Sequence, residues 1–286
     1  MNWINVHIPK CAGTTFSGIL ARNFGDSFGD GRSYLSDRYF KYSSIDIDRI
    51  FATYTHLKCF SDHKCSINLN WQESDYMAIA FIRDPVDRFV SHYYYCRQRA
   101  LDGVVFDEEA ARLEIDLYVD EVLYKNPKQD LGNGQCYHLF GESDSDRFRL
   151  KIESIDHDRV LLFPVSRFHD ACVLLEQSFP DEFRDCAYIV ANRRTEDIEL
   201  SDDTKQKIHE AMGYDFLLYQ EVNRVFEERL SNLFPRMESL ESARNTLERR
   251  CRLLTSEDDI VVKFLRRGKG WLSKLLKNNI IRHPRK

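Results

Sequence analysis

The chain is short of the residues that break or staple a fold. Its 286 residues include only 12 glycines and 7 prolines, which excludes a disordered or linker-rich protein. No two cysteines stand in CxxC spacing. The eight thiols are scattered, at Cys11, Cys59, Cys65, Cys96, Cys136, Cys172, Cys186 and Cys251, as expected for reduced cysteines inside a cell. The nearest approach to a metal cluster is Cys59, His63 and Cys65. Its Cys-x3-His-x-Cys spacing matches no usual zinc pattern, and no metal is expected. There is no Asn-x-Ser/Thr sequon, no signal peptide before the first apolar run, and no apolar run of membrane-spanning length. A cytoplasmic protein is therefore expected. Positive charge is not in excess either: 41 Lys and Arg face 46 Asp and Glu, a net charge of −5. Nucleic acid is not an expected partner, and any polyanionic ligand must be gripped by local clusters of cations. What the chain does have is apolar mass. Hydrophobic residues make up 43% and aromatics 13%, enough for a sizeable core, and the length suits one large α/β domain with an appendage.

The stretch around which the rest is organised is His7-Ile8-Pro9-Lys10-Cys11-Ala12-Gly13-Thr14-Thr15. Before it, Trp3-Ile4-Asn5-Val6 reads as a β-strand. After it, Phe16-Ser17-Gly18-Ile19-Leu20-Ala21-Arg22 reads as the first turns of a helix. A tight strand-to-helix loop aims several backbone N–H groups and the positive end of the helix dipole at one spot, which favours an anion. Lys10 adds a mobile cation, and Thr14 and Thr15 add hydroxyl donors. Nucleoside-triphosphate loops place their Lys directly after the second Gly, whereas Lys10 precedes the single Gly of this loop by three residues. His7 is read as orienting the loop.

A second stretch has the same logic. Residues 77–82 form a continuous apolar run, as in a strand buried on both faces. Asp84 can cap the following helix and Pro85 suits its first turn. Val86, Phe89, Val90 and Tyr93 fall at helical spacing. Arg83 is left at the carboxyl end of the strand, where open α/β sheets bind ligands, and Ser91 lies two helical turns on. A structural pairing of Arg83 with Asp84 or Asp87 is the alternative. Arg88 is read as a brace.

The first stretch closely resembles the 5′-phosphosulfate-binding loop of sulfotransferases, particularly carbohydrate sulfotransferases of the heparan-sulfate 2-O type and their bacterial relatives. The second resembles the 3′-phosphate-binding motif of the same family. The resemblance extends over roughly residues 3–232 and is sharp only at these two motifs. It implies a three-layer α/β sandwich with a mainly parallel central sheet, of the nucleotide-kinase-like type. It also implies the donor 3′-phosphoadenosine-5′-phosphosulfate, with adenosine 3′,5′-bisphosphate as product. Lys10, Cys11, Ala12, Gly13, Thr14 and Thr15 would hold the 5′ end, with Lys10 also catalytic; Arg83 and Ser91 would hold the 3′-phosphate. In the family a short strand after the first helix ends in Gly-His, and that His faces the acceptor hydroxyl. Here His56 takes the place, with Thr55 for the Gly, and is expected to be the general base. Asn133 and Gln135 match a family segment beside the acceptor, so Gln135 and His138 are expected acceptor contacts, with His138 the rival base. Arg193, Arg194 and Thr195 match a basic loop that borders the cofactor.

Elsewhere the pattern is coarser. Residues 24–44 read as an irregular loop, residues 45–51 as a short helix or strand, residues 102–125 as mostly helical, and residues 203–234 as one long helix. The expected division is a sulfotransferase domain at 1–235 and a helical, basic extension at 236–286. Past Asp259 the tail has no acidic residue and nine Lys and Arg, which suits peripheral contact with an anionic membrane surface or docking on the domain. Two other functions stay open: an ATP-dependent phosphotransferase, and a non-catalytic module that binds nucleotide or glycan.

Overall fold

The computed structural model describes residues 1–31, 41–69, 71, 74–190 and 200–254. Five strands form a single sheet: β1 (Asn2–Val6), β2 (Phe28–Asp30), β3 (Cys59–Asp62), β4 (Tyr76–Ile82) and β5 (Val160–Pro164). Their order is β2-β3-β1-β4-β5 and every pairing is parallel. Register is explicit at the centre, where Ile4 lies between Phe60 and Ala78. All seven residues of β4 are buried. Successive side chains point to opposite faces, so the sheet is covered on both sides, as the parallel sheet of an α/β sandwich must be.

Eleven α-helices accompany the sheet among the described residues: α1 (Gly13–Phe24), α2 (Ser44–Thr53), α3 (Pro85–Leu101), α4 (Glu108–Arg112), α5 (Ile115–Val119), α6 (Gly134–Phe140), α7 (Phe148–Glu153), α8 (Phe168–Ser178), α9 (Asp202–Ala211), α10 (Gly213–Leu233) and α11 (Met237–Leu253). Helix α1 packs on β2 and β3, while α8 and α10 pack on β5. A second apolar cluster, built from Phe89, Tyr93, Tyr118, Val122, Ile208 and Met212 among others, joins α3 to the short helices after it and to α9.

Four expectations are refined. Residues 45–51 are helical, because Ser43 and Asp46 form a reciprocal capping box at the start of α2. The stretch 24–44, read as loop, contains β2. Residues 102–125 break before α4, where Asp107 caps the new helix by accepting from Ala110 N–H. The long helix expected at 203–234 is two helices, divided at Met212, because Asn133 Oδ1 accepts the N–H groups of Tyr214 and Asp215 and starts α10 afresh.

The extension read from residue 236 begins with α11, which is not a free arm. Leu240 and Leu247 are buried in the main core, and Arg244 grips Asp170 of α8 with two hydrogen bonds, at 2.6 and 3.0 Å. The basic tail beyond Asp259 lies outside the described residues. No helix among the described residues is long and apolar enough to cross a membrane.

Candidate functional site

Because all five strands run the same way, the segments leaving β1, β3 and β4 emerge at one edge of the sheet. These are the loop at residues 7–12, His63 and Arg83.

The loop is built from strain. Lys10 and Ala12 have φ of 67° and 59° and are the only non-glycine residues with positive φ among those described. Each such residue costs on the order of 1–3 kcal/mol. Alternating backbone hands turn consecutive N–H groups to one side and make an anion-binding concavity. No described side chain caps α1, and its first turn carries no acidic residue, so its N–H groups and dipole face that concavity unopposed. Thr14 is exposed and Thr15 half-buried. Gly13 is dictated by contact: a Cβ there would lie 2.0 Å from Nε2 of His7.

Beneath the loop, the His7 ring meets that of His63 at 4.4 Å. His63 Nδ1 lies 2.6 Å from the His7 carbonyl oxygen. A carbonyl only accepts, so Nδ1 carries the proton, and in neutral His63 Nε2 is the basic nitrogen.

Lys10 and Arg83 lie together. Arg83 Nη1 donates to the Lys10 carbonyl at 3.4 Å. Among the described residues no carboxylate pairs with Arg83, and Asp84 is engaged in capping α3 through Asp87 N–H. Burial lowers the Lys10 ammonium to about 8, and the Arg83 charge acts in the same direction. Helix α3 lines the pocket at helical spacing: Arg88 Nε donates to the Pro9 carbonyl at 3.3 Å, and Lys10 Nζ stands over the Tyr95 ring. Ser91 lies between these two on the same helix face. Arg88 is almost wholly buried and also donates to the Asp130 carbonyl at 2.7 Å, so it braces the pocket wall.

The structure does not bring His56 to this pocket. It is exposed, in the turn three residues before β3 begins, at the opposite edge of the sheet from Lys10. The length of a four-residue strand, about 13 Å, separates the two edges. The strand that follows is β3, Cys59–Asp62, and His63 comes directly after it. That strand is short and half polar; its Ser61 is buried and accepts from Asn5 Nδ2 at 2.8 Å.

Gln135 is not an acceptor contact. Its side chain is fully buried, its Oε1 accepts from Arg83 N–H at 2.8 Å and from Cys11 Sγ at 3.3 Å, and its Nε2 donates to the Arg83 carbonyl at 2.9 Å. His138 is buried too. Lys41 Nζ donates to its Nδ1 at 2.9 Å and to the His63 carbonyl at 2.7 Å. Burial, aided by the Lys41 charge, holds His138 well below the ordinary imidazole range. With Nδ1 accepting from Lys41, the proton of neutral His138 sits on Nε2, which leaves no basic nitrogen for an acceptor. Lys41 itself is lowered by burial to about 8. Arg193, Arg194 and Thr195 lie outside the described residues.

The thiols near the site are not reactive groups. Burial pushes Cys11 up to about 11 and Cys59 and Cys65 well above their ordinary range. One group among the described residues has metal-like spacing: His92, Cys96 and Asp107. Asp107 already accepts from the Lys128 ammonium at 2.9 Å and from the Tyr118 hydroxyl at 2.8 Å, so both carboxylate oxygens are in use. Burial would raise Asp107, but hydrogen bonds from His92, Lys128, Ala110 N–H and Tyr118 outweigh it and hold the carboxyl well below its usual range.

A cationic, N–H-lined concavity beside a second strand-end cation suits a ligand with two separated anionic groups. Compared with known families, the chain matches the one described as "Sulfotransferase family" over residues 2–173. No curated protein matches it.

Proposed function

The chain belongs to the sulfotransferase family, and on that premise we propose that it moves a sulfuryl group from 3′-phosphoadenosine-5′-phosphosulfate to an acceptor hydroxyl of a carbohydrate or glycoconjugate. One observation carries this reading. Arg83 Nη1 reaches the Lys10 carbonyl across 73 residues of sequence, which supports a site to which both motifs contribute.

The donor supplies an activated sulfuryl group on its 5′-phosphate, and each role below belongs to a residue of this chain. The N–H groups of residues 12–15 and the hydroxyls of Thr14 and Thr15 hold the 5′ end. The guanidinium fork of Arg83, with the Ser91 hydroxyl, holds the 3′-phosphate. Both grips fix the register of the reacting bond. The Lys10 ammonium neutralises the charge left on the phosphate oxygen as its bond to sulfur breaks. The acceptor oxygen forms the new bond to sulfur and its proton passes to His63 Nε2, which replaces His56 as the proposed base. Lys10 and the loop dipoles supply the positive charge that the reaction needs, so the proposal calls for no metal.

The test is incubation with ³⁵S-labelled donor and a cell extract, followed by identification of the labelled product. Label on a glycan supports the reading. No labelled product, together with phosphate transfer from ATP and Mg²⁺, overturns it in favour of a phosphotransferase.

A further inference from the structure

We propose that Gln135 is a positioning residue that sets the distance between the two anion grips, and that Asp215 holds Gln135 in place. The proposal rests on the nucleotide reading above.

Helix α6 begins where the loop after β1 and the end of β4 come together. The Gln135 amide fills the space between them. Toward β4 it pairs with both backbone groups of Arg83, accepting from N–H and donating to C=O, as a neighbouring strand would. Toward the loop its oxygen also accepts from Cys11, the residue between Lys10 and Ala12. One amide thus ties the main chain of the 3′-phosphate grip to the Cys11 side chain of the 5′ grip. Burial keeps Cys11 a thiol at neutral pH, so it remains a donor in this bond.

Gln135 is itself held from behind. Asp215 Oδ2 accepts its backbone N–H at 3.0 Å, and Oδ1 accepts that of Cys136 at 2.9 Å. Asp215 is oriented in turn by Asn133, whose Oδ1 accepts the Tyr214 and Asp215 N–H groups at 2.9 and 3.0 Å. The starts of α6 and α10 therefore cap each other. The clasp also limits side-chain size: a Cβ on Gly134 would lie 2.8 Å from the Arg88 guanidinium.

A ligand with two anionic ends gains from its second end only if both pockets are at the right spacing. A misplacement of about 1 Å can cost on the order of a hundredfold. A ligand with one anionic end is indifferent to that spacing. The readout is therefore a ratio: the affinity for adenosine 3′,5′-bisphosphate divided by that for adenosine 5′-monophosphate, measured by calorimetry on the full chain. In Gln135→Met, which keeps the volume and loses the hydrogen bonds, the ratio is expected to shrink by roughly ten- to a hundredfold, through loss of bisphosphate affinity alone. Cys11→Ala, which removes only the loop contact, is expected to shrink it less and serves if Gln135→Met does not fold. Asp215→Asn is expected to fall in the same direction. An unchanged ratio in the folded variants overturns the proposal. So does an equal weakening of both ligands, which would mark a general structural role. A wild-type protein with no preference for the bisphosphate overturns the nucleotide reading itself, and the proposal with it.

Discussion

The ammonium of Lys10 stands 4.0 Å from the centroid of the Tyr95 ring. Behind Tyr95, Phe106 lies nearly parallel, with centroids 5.9 Å apart and an 11° tilt, and the Arg99 guanidinium covers Phe106 at 5.7 Å. The Lys10 cation thus rests on an aromatic ring that is itself stacked on another.

The charge state of Lys10 is expected to govern nucleotide binding. Burial lowers it to about 8, and an anion at the loop favours the protonated form, so binding raises it again. Below pH 8 the ammonium is already charged and affinity is at its plateau. Above pH 8 binding must take up a proton, and affinity for adenosine 3′,5′-bisphosphate falls with rising pH. Calorimetry in buffers of different ionisation heat should detect that proton. Lys10→Met should bind more weakly and lose the transition near pH 8; a transition that survives would assign it elsewhere, with Lys41 the first candidate.

If Tyr95 competes with the ligand for the Lys10 cation, removing its π face should help binding. A cation–π contact at a partly exposed ring is worth about 0.5–1 kcal/mol. Tyr95→Leu is therefore expected to bind the bisphosphate roughly two- to fivefold tighter, while Tyr95→Phe matches the wild type. A weaker Tyr95→Leu would show that the ring supports the bound state instead.

For the proton acceptor, His63→Ala should lower the rate of sulfuryl transfer from labelled donor to extract by about a hundred- to ten-thousandfold. Nucleotide affinity should hardly change. His56→Ala should keep near-normal turnover, because that residue stands at the far edge of the sheet. The reverse ordering of the two variants would return the role to His56.

Gly13→Ala probes the floor of the loop. Its methyl group would collide with the His7 imidazole, which is packed against His63. A loss of stability of about 1–3 kcal/mol is expected, read by denaturant unfolding, together with weaker binding of the bisphosphate. A variant of full stability and affinity would mean that the His7 ring has room to move.

The readable parts of this site are those where chemistry and pattern coincide. Strand β4 announces itself by an unbroken apolar run and β1 by a short, mainly apolar one, and the Lys, Thr and Arg side chains that follow them have no core role to disguise them. Strand β3 does not, because its Cys-Phe-Ser-Asp sequence owes its extended form to hydrogen bonds with β1 and β2 on either side. Reading that strand a few residues early placed His56 at its end, where the structure has His63. Gln135 failed for another reason: a polar side chain in a polar segment reads as surface, and only the fold reveals that every one of its contacts faces inward. The break between α9 and α10 was likewise invisible, since Asn133, which causes it, lies about eighty residues away in sequence.

Asp215 stands outside the stretch that matches the family, which ends at residue 173. A fragment trimmed to that boundary would retain Lys10, both threonines, Arg83 and Ser91, yet forfeit the carboxylate that anchors the crosspiece between them. Such a truncation would keep the Gln135 contacts to Arg83 and Cys11 but lose the support that Asp215 gives the start of α6.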